Sequence, residues 1–482
     1  MLLKVLRDRG YDVYSPCGGK GTCGKCKVYV KGDGYITSCL YPVKSAVEIV
    51  LPEPREATIL ASQYRYSRQM DPDPGMSAGL SRHPVGVAVD VGTTTLVFHF
   101  VSLPTGSVIE THTALNPQAK FGADVISRIN YCISNPGGLS VLQASLINTI
   151  NLQLTRFCRK SDRPAGDIVK ICFCGNTTML HILLGVNPAS LAFVPFTPAF
   201  TGEKILKASE LDLECNPEGE LKVLPSLSAY VGADIVAGIA SLAPDTAHRN
   251  SLFVDLGTNG EIALLTPDRI WCCSTAAGPA FEGANIDHGM GALEGAIKDY
   301  FEPGNFQTIG DSLPMGICGS GLVDLVASLL KTSVIRNDGY MEGNFIIVPA
   351  EKSGTSEDIH LTPKDVREIQ LAKSAIASGI RILVKHAGLS MNEVDALYLA
   401  GGFGNYVRTE SASEIGLLPY ELAGKVIPVG NTSGTGALLS VKSIFFDKIV
   451  NELLNNMNFV ELSDHEDFVL EFAMNMEFPY MR

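Results

Sequence analysis

The chain has 482 residues, 46% hydrophobic and 18% charged, an ordinary globular composition with room for about two to four domains around a sizeable core. A formal net charge of −13 at pH 7 argues against nucleic acid or an anionic membrane as the main partner, because both select for clustered Lys and Arg. Proteins, and small anions held at local sites, are the partners that remain.

The first segment, MLLKVLRDRGYDVYS, carries charges at Lys4, Arg7, Asp8 and Arg9, which break up the apolar core a secretory signal needs. No apolar run reaches the roughly eighteen residues of a membrane helix, so a soluble, cytoplasmic protein is expected. Twelve cysteines in such a chain read as metal ligands or buried thiols, not disulfides.

Four of these cysteines, Cys17, Cys23, Cys26 and Cys39, fall in CGGKGTCGKC and the following SC, with spacing C-x5-C-x2-C-x12-C. Gly18, Gly19, Gly21 and Gly24 make the loop tight enough to gather sulfurs and open enough for backbone amides to reach them, as an iron-sulfur cluster requires. Plant-type ferredoxins use C-x4-C-x2-C with a distant fourth cysteine, one residue shorter than this loop, and a [2Fe-2S] site remains compatible with it. The alternative is a four-cysteine structural zinc site, but zinc ribbons present two C-x2-C knuckles and only Cys23 and Cys26 form one here. The other eight cysteines, among them Cys172, Cys174, Cys272 and Cys273, sit in apolar stretches and read as buried thiols; none follows Cys318, which excludes a second cluster near the C-terminus. The stretch AVEIVLPEP then reads as a short strand closed by Pro52 and Pro54. Residues 1–56 are thus expected to be a small ferredoxin-like module. Residues 57–83, rich in Pro, Gly, Ser and alternating charge, read as a linker.

Residues 84–250 open with VGVAVD, a strand leading through GTTT into the apolar LVFHFV. Residues 251–482 repeat the pattern with SLFVD, LGTNG and EIALL about 165 residues later. Two such strand-loop-strand units imply two similar lobes facing each other with a ligand between them. Helical periodicity in ADVISRINYCI, GLSVLQASLINTINLQLTRFC and PKDVREIQLAKSAIASGIRILVKHAG makes the body α/β. The chain lacks both the P-loop motif and a convincing dinucleotide fingerprint after a strand, so nucleotide must be held differently.

In DVGTTT, Gly92 permits a tight turn, Thr93, Thr94 and Thr95 offer donors to phosphate oxygens, and Asp90 suits hydrated Mg2+. The equivalent set in DLGTNG is Asp255, Gly257, Thr258, Asn259 and Gly260. One Asp-x-Gly-Thr is more often a plain turn, whereas two behind apolar strands point to ATP phosphates. In ALYLAGGFGNYV, Gly401, Gly402 and Gly404 follow a strand where an adenine ring can lie against bare backbone. VGNTSGTGALLS places Ser433, Gly434, Gly436 and Ala437 where one helix crosses another closely, either as an interlobe hinge or as simple packing. Glu261 is a candidate to orient water or metal, with an exposed strand-end carboxylate as the plain alternative; Asp234 and Asp124 are further candidate acids.

This order of loops resembles the actin-like ATPase superfamily of sugar kinases, heat-shock chaperones and actin. More closely, CGGKGTCGKCKV followed by VAVDVGTTT, FGADVISRI, CGNTTMLHILLG, FVDLGTNGEIAL, AAGPAFEGANI, ICGSGLVDLVA and YLAGGFGNYV resembles the ATP-dependent reductive activators of corrinoid proteins over nearly the whole chain. The resemblance implies a β-grasp ferredoxin-like [2Fe-2S] domain on the four loop cysteines. It also implies a linker and a two-lobed actin-like (ribonuclease H-like) ATPase body with returning C-terminal helices, commonly a homodimer. The implied activity is one-electron reduction of an inactive Co(II) corrinoid to Co(I), serving the corrinoid protein of a methyltransferase system and drawing on a low-potential electron donor. Asp90, Asp255 and Glu261 are the expected catalytic residues. Family members usually begin with a β-hairpin before LLKVLRDRG, and this chain starts almost at that helix, so an incomplete ferredoxin module is an expectation. An activator of 2-hydroxyacyl-CoA dehydratases, with one [4Fe-4S] cluster between subunits, and a redox-sensing ATP-binding module are the alternatives.

Overall fold

The computed structural model describes residues 1–9, 11, 13, 19, 21, 26–51, 70, 72, 80–242, 249–257, 259–404 and 406–480. Cys17, Cys23, Gly18, Gly24 and Thr258, with most of the expected linker, lie outside the described residues.

The N-terminal module sets helix α1 (Leu2–Asp8) against a small antiparallel sheet of β1 (Lys27–Val30), β2 (Gly34–Thr37) and β3 (Ile49–Val50), with β1 central. Alternation along β1 buries Val28 and Val30, and Leu2, Leu3 and Leu6 of α1 close over them together with Cys26 and Cys39. The helix is held at its start by the Leu2 amide on the Tyr41 carbonyl and the Leu3 amide on the Ser38 carbonyl, at 2.8 and 3.0 Å.

The body contains two six-stranded sheets. The first uses β4 (Val85–Val91), β5 (Thr95–Ser102) and β6 (Val108–Leu115), then α2 (Val125–Ser134), α3 (Gly138–Ser161), β7 (Ile168–Gly175), α4 (Thr177–Leu183), β8 (Lys204–Lys207), β9 (Glu220–Val223) and α5 (Ala233–Leu242). Its strand order is β6-β5-β4-β7-β9-β8, with β4, β5 and β6 antiparallel and β7 and β9 joining parallel to β4.

The second sheet opens with β10 (Ser251–Leu256), β11 (Gly260–Leu265) and β12 (Ile270–Thr275). There follow β13 (Ala296–Glu302), β14 (Asn305–Thr308), β15 (Gly316–Ile317), α6 (Gly319–Lys331), β16 (Phe345–Val348), β17 (Ile359–Leu361) and α7 (Pro363–His386). The chain ends with β18 (Ala396–Ala400), α8 (Gly401–Gly404), α9 (Thr409–Glu414), β19 (Val426–Gly430), α10 (Thr432–Lys442), α11 (Ile444–Asn456), β20 (Met457–Phe459) and α12 (Phe468–Met474). The order β19-β18-β10-β11-β12 reproduces β9-β7-β4-β5-β6 of the first sheet, an antiparallel meander from the central strand with two parallel strands on its other side; the sixth strands differ, β8 lying antiparallel beside β9 and β20 parallel beside β12. The weak sequence repeat is therefore a repeat of topology. Strands alternating with crossover helices that cover apolar faces produce it twice.

Both central strands are apolar almost throughout, as strands covered on both faces must be. Helices α5 and α10 follow the parallel strands β9 and β19 and meet between the sheets. Helix α10, although late in the chain, packs Ala437, Leu438 and Val441 into the core of the first sheet, and crosses α5 so closely that a Cβ on Gly436 would lie 2.6 Å from the Ala237 carbonyl oxygen. Any larger residue at 436 separates the two helices. The two lobes are thereby tied through α5 and α10, at the base of the cleft that the aspartates line.

Candidate functional site

Asp90 and Asp255 hold the same position in the two sheets, each the penultimate residue of its central strand. Asp90 is bonded at both oxygens: the Asn431 amide donates to Oδ2 and the Ser433 hydroxyl to Oδ1, each at 2.8 Å. Asp255 sits opposite Glu261 in the β10–β11 register, and Asp234 lies in the first turn of α5. All four are half-buried.

Burial and mutual charge oppose the ionisation of these acids. Burial raises the Asp90 carboxyl, with the Ser433 and Asn431 hydrogen bonds opposing it. Burial, then the charges of Asp255 and Asp90, push Asp234 up to about 8; burial and Asp90 push Asp255 up to about 7. Glu261 is driven well up by burial and by Asp234 and Asp255. It is not the exposed strand-end carboxylate that sequence alone suggests. The charges of these acids disfavour one another's ionisation, and carboxylate oxygens of this kind suit a hydrated Mg2+ held mainly through its water.

The first loop is clamped from behind. Asn116 donates to the Gly92 carbonyl at 2.8 Å, Asn176 donates to Thr93 Oγ1 at 3.0 Å, and Arg128 donates to the Thr93 carbonyl at 2.5 Å. Arg128 is fully buried and also donates to the Gly122 carbonyl and Gln118 Oε1. Burial pulls it down to about 10 against the charges of Asp124 and Glu282. Asp124 itself caps α2 in a box with Ser127, so its part is structural: it starts the helix that carries Arg128. Thr94 is exposed and Thr95 opens β5.

In the second loop the Gly257 amide donates to the Asn259 carbonyl at 3.1 Å. Gly260 is packed away from the cleft, since a Cβ there would meet Thr275 Oγ1 at 2.7 Å. Of the later glycines, Gly401 adopts φ +90° and an added Cβ would lie 2.6 Å from Asp255 Oδ1. Gly402 is exposed with open space beside it, and Gly404 is buried against Leu399. Gly401 and Gly402 alone of the three border the cleft.

In the module, the Cys39 amide donates to Cys26 Sγ at 3.4 Å and the Ser38 hydroxyl to the Cys26 carbonyl at 2.8 Å. Gly19 lies against both Leu3 and Cys39. Two buried sulfurs with an amide aimed at one of them fit a cluster thiolate environment. Elsewhere burial pushes Cys172 up to about 12 and raises Cys174, Cys272 and Cys273, the behaviour of inert core thiols.

A family model described as the C-terminal domain of RACo, the ASKHA domain, matches residues 249–482, and one described as the RACo middle region matches residues 85–245. The chain is 36% identical over 417 residues to the corrinoid activation enzyme RamQ of Eubacterium limosum, covering 82% of this chain and 70% of that protein. The chain belongs to the RACo family of corrinoid activators. A second relative, the [Co(II) methylated amine-specific corrinoid protein] reductase of Methanosarcina barkeri, is 27% identical over 382 residues, 72% of this chain and 68% of that one. The solved structure of a reductive activator for corrinoid, iron-sulfur protein superposes with TM-score 0.75 at 29% identity, over 99% of this chain and 95% of the other. As the ASKHA match requires, this RACo-family body is an actin-like, ATP-binding fold.

Sequence reasoning passed over Arg128, Asn116, Asn176, Asn431 and Glu282. A signal existed for two of them. CGNTT and VGNTS each set an Asn after a strand-ending Gly, and in both the Asn caps the next helix while its amide nitrogen reaches the first loop.

Proposed function

We propose that this chain couples ATP hydrolysis to the one-electron reduction of a corrinoid protein, Co(II) to Co(I), with the electron passing through a [2Fe-2S] cluster on Cys17, Cys23, Cys26 and Cys39. The observation that carries the reading is the facing of Asp90 and Asp255, at equivalent strand ends of two matching sheets, on a chain that also presents Cys26 and Cys39 as a buried pair. Its substrate in this reading is the corrinoid protein of a methyltransferase system, its electron comes from a low-potential donor, and it works as a homodimer.

The positions of the described residues support these roles. Thr93 and Thr94 meet phosphate oxygens from the first loop; Asn259 does so from the second, with Thr258 of the same motif assigned from the sequence. Gly401 and Gly402 leave backbone bare for the adenine. Asp90 and Asp255 hold the metal end of the nucleotide, and Glu261 or Asp234, whose pKa burial and neighbouring charge raise, takes the proton of the attacking water when in its ionised form. Bound Mg2+ would supply charge neutralisation for the phosphates and lower these carboxyls toward ionisation.

Co(II) to Co(I) lies at very low potential, so transfer from an iron-sulfur centre is uphill, each tenfold of disadvantage costing about 59 mV for one electron. The chain must therefore favour the reduced product by binding. Closure of the two sheets on ATP, transmitted through α5 and α10 at their crossing, changes the surface offered to the corrinoid protein, and a state that binds the Co(I) form better shifts the equilibrium by that difference in affinity. Mixing the cluster-loaded protein with reductant, ATP and a corrinoid protein should produce the Co(I) absorbance, and omission of ATP should suppress it. Equal Co(I) yield without ATP would overturn the coupling.

A further inference from the structure

Away from the nucleotide cleft, Asp287 and His288 on the loop after Glu282 meet His360 of β17, and one ligand atom from each lies within 4.8 Å of the others. His360 Nε2 is 3.0 Å and His288 Nε2 3.9 Å from the same oxygen, Asp287 Oδ2, and the two rings stand edge to face with centroids 4.4 Å apart. We propose that Asp287, His288 and His360 form a binding site for a divalent transition metal ion of the zinc type.

Three features support it. His360 Nδ1 lies 3.3 Å from the Asp358 carbonyl, and the tautomer that donates to this oxygen leaves the Nε2 lone pair facing the carboxylate. A ring nitrogen anchored on a backbone carbonyl while the other faces a ligand is the usual arrangement around bound zinc. In that tautomer Nε2 and Asp287 Oδ2 are both acceptors, 3.0 Å apart, a pair that a bound cation would hold together. Zinc bonds of about 2.0–2.1 Å set neighbouring ligand atoms about 3.3 Å apart in a tetrahedron, and the separations of 3.0 and 3.9 Å bracket that value. Finally, the site opens on a shallow cavity of about 440 Å³ lined by Asn344, Ile346, Glu357 and Asp358, with room for water as fourth ligand. Two imidazoles with one carboxylate select zinc and its first-row neighbours over Mg2+.

The site also has a place in the architecture. The Asp287 amide donates to Asp365, the partner of Thr362 in the capping box of α7, and Glu357 on the cavity wall pairs with Lys27 of the N-terminal module at 3.5 Å. A metal here pins the loop that continues from Glu282 to the β16–β17 hairpin beside the module.

The test is zinc titration of the full-length, cluster-loaded protein by calorimetry, with zinc-edge X-ray absorption to read the ligands. One equivalent should bind, with a nitrogen and oxygen shell near about 2.0 Å. His288→Ala and His360→Gln should each weaken binding at least about 30-fold, with iron content and circular dichroism unchanged. Zinc found only in a sulfur shell near about 2.3 Å, the signature of the cysteine loop, overturns the site. So does the absence of saturable zinc binding, which would leave a plain imidazolium–carboxylate pair, or full binding in both variants.

Discussion

The Thr94 hydroxyl donates to Glu282 Oε2 at 3.2 Å, joining residues 188 positions apart across the cleft between the two sheets. A carboxylate held at the hydroxyl proposed for a phosphate oxygen must give way when nucleotide enters. Glu282→Gln removes its negative charge while keeping its shape, so Mg2+-free ATP should bind about 3- to 10-fold tighter to that variant. Equilibrium binding of a fluorescent ATP analogue reads this directly, and an unchanged Kd would place Glu282 outside the phosphate path.

The four cleft carboxylates make a pH prediction. Asp255 at about 7 and Asp234 at about 8 lie above their unfolded value of 3.8, so the folded chain keeps protons that the unfolded chain has lost. Folding stability from these groups is therefore full below about pH 4 and is lost progressively as the pH climbs through 7 to 8. Mg2+ binding releases those protons, so its apparent affinity should rise by up to about tenfold per pH unit for each proton released, until the carboxyls ionise. Thermal unfolding with and without Mg2+ at pH 6 and 8 should show the larger metal-induced Tm increase at pH 8. Equal increases at both values would detach these acids from the metal.

Asp90→Asn and Asp255→Asn should each lower kcat for ATP hydrolysis by about 100-fold or more, while iron content and the reduced cluster's EPR signal stay at the native level. Near-native turnover in both would remove the aspartates from the mechanism.

Gly401→Ala adds a Cβ in a left-handed backbone conformation and within 2.6 Å of Asp255 Oδ1. It should cost about 1–3 kcal/mol of stability and weaken ATP binding. Gly402→Ala, with open space around its Cβ, should cost less than about 1 kcal/mol. Chemical denaturation of the pair is the measurement, and equal costs would count against the close approach at 401.

Cys26→Ser should abolish the cluster, read as loss of iron and sulfide, whereas Cys172→Ser, in a fully buried strand of the first sheet, should leave both unchanged. Iron loss in Cys172→Ser alone would reverse the assignment of ligand and core thiol.

Local chemistry was legible along the chain. The apolar runs ending in Asp90 and Asp255 and the helical periodicity from Pro363 each depend on neighbours a few residues away, which is where backbone preference and side-chain alternation act. That is also why the alternation of strands and helices, and with it the paired α/β sheets, could be anticipated. The burial of Glu261, the neutral tendency of Asp234, the grip of Arg128 on the Thr93 carbonyl, the bonding of Asp90 by Asn431 and Ser433, and the meeting of Asp287 with His360 were decided by the tertiary structure alone. Each joins segments 35 to 343 residues apart or depends on a local dielectric, and both are set by which faces bury against which when the sheets and helices pack.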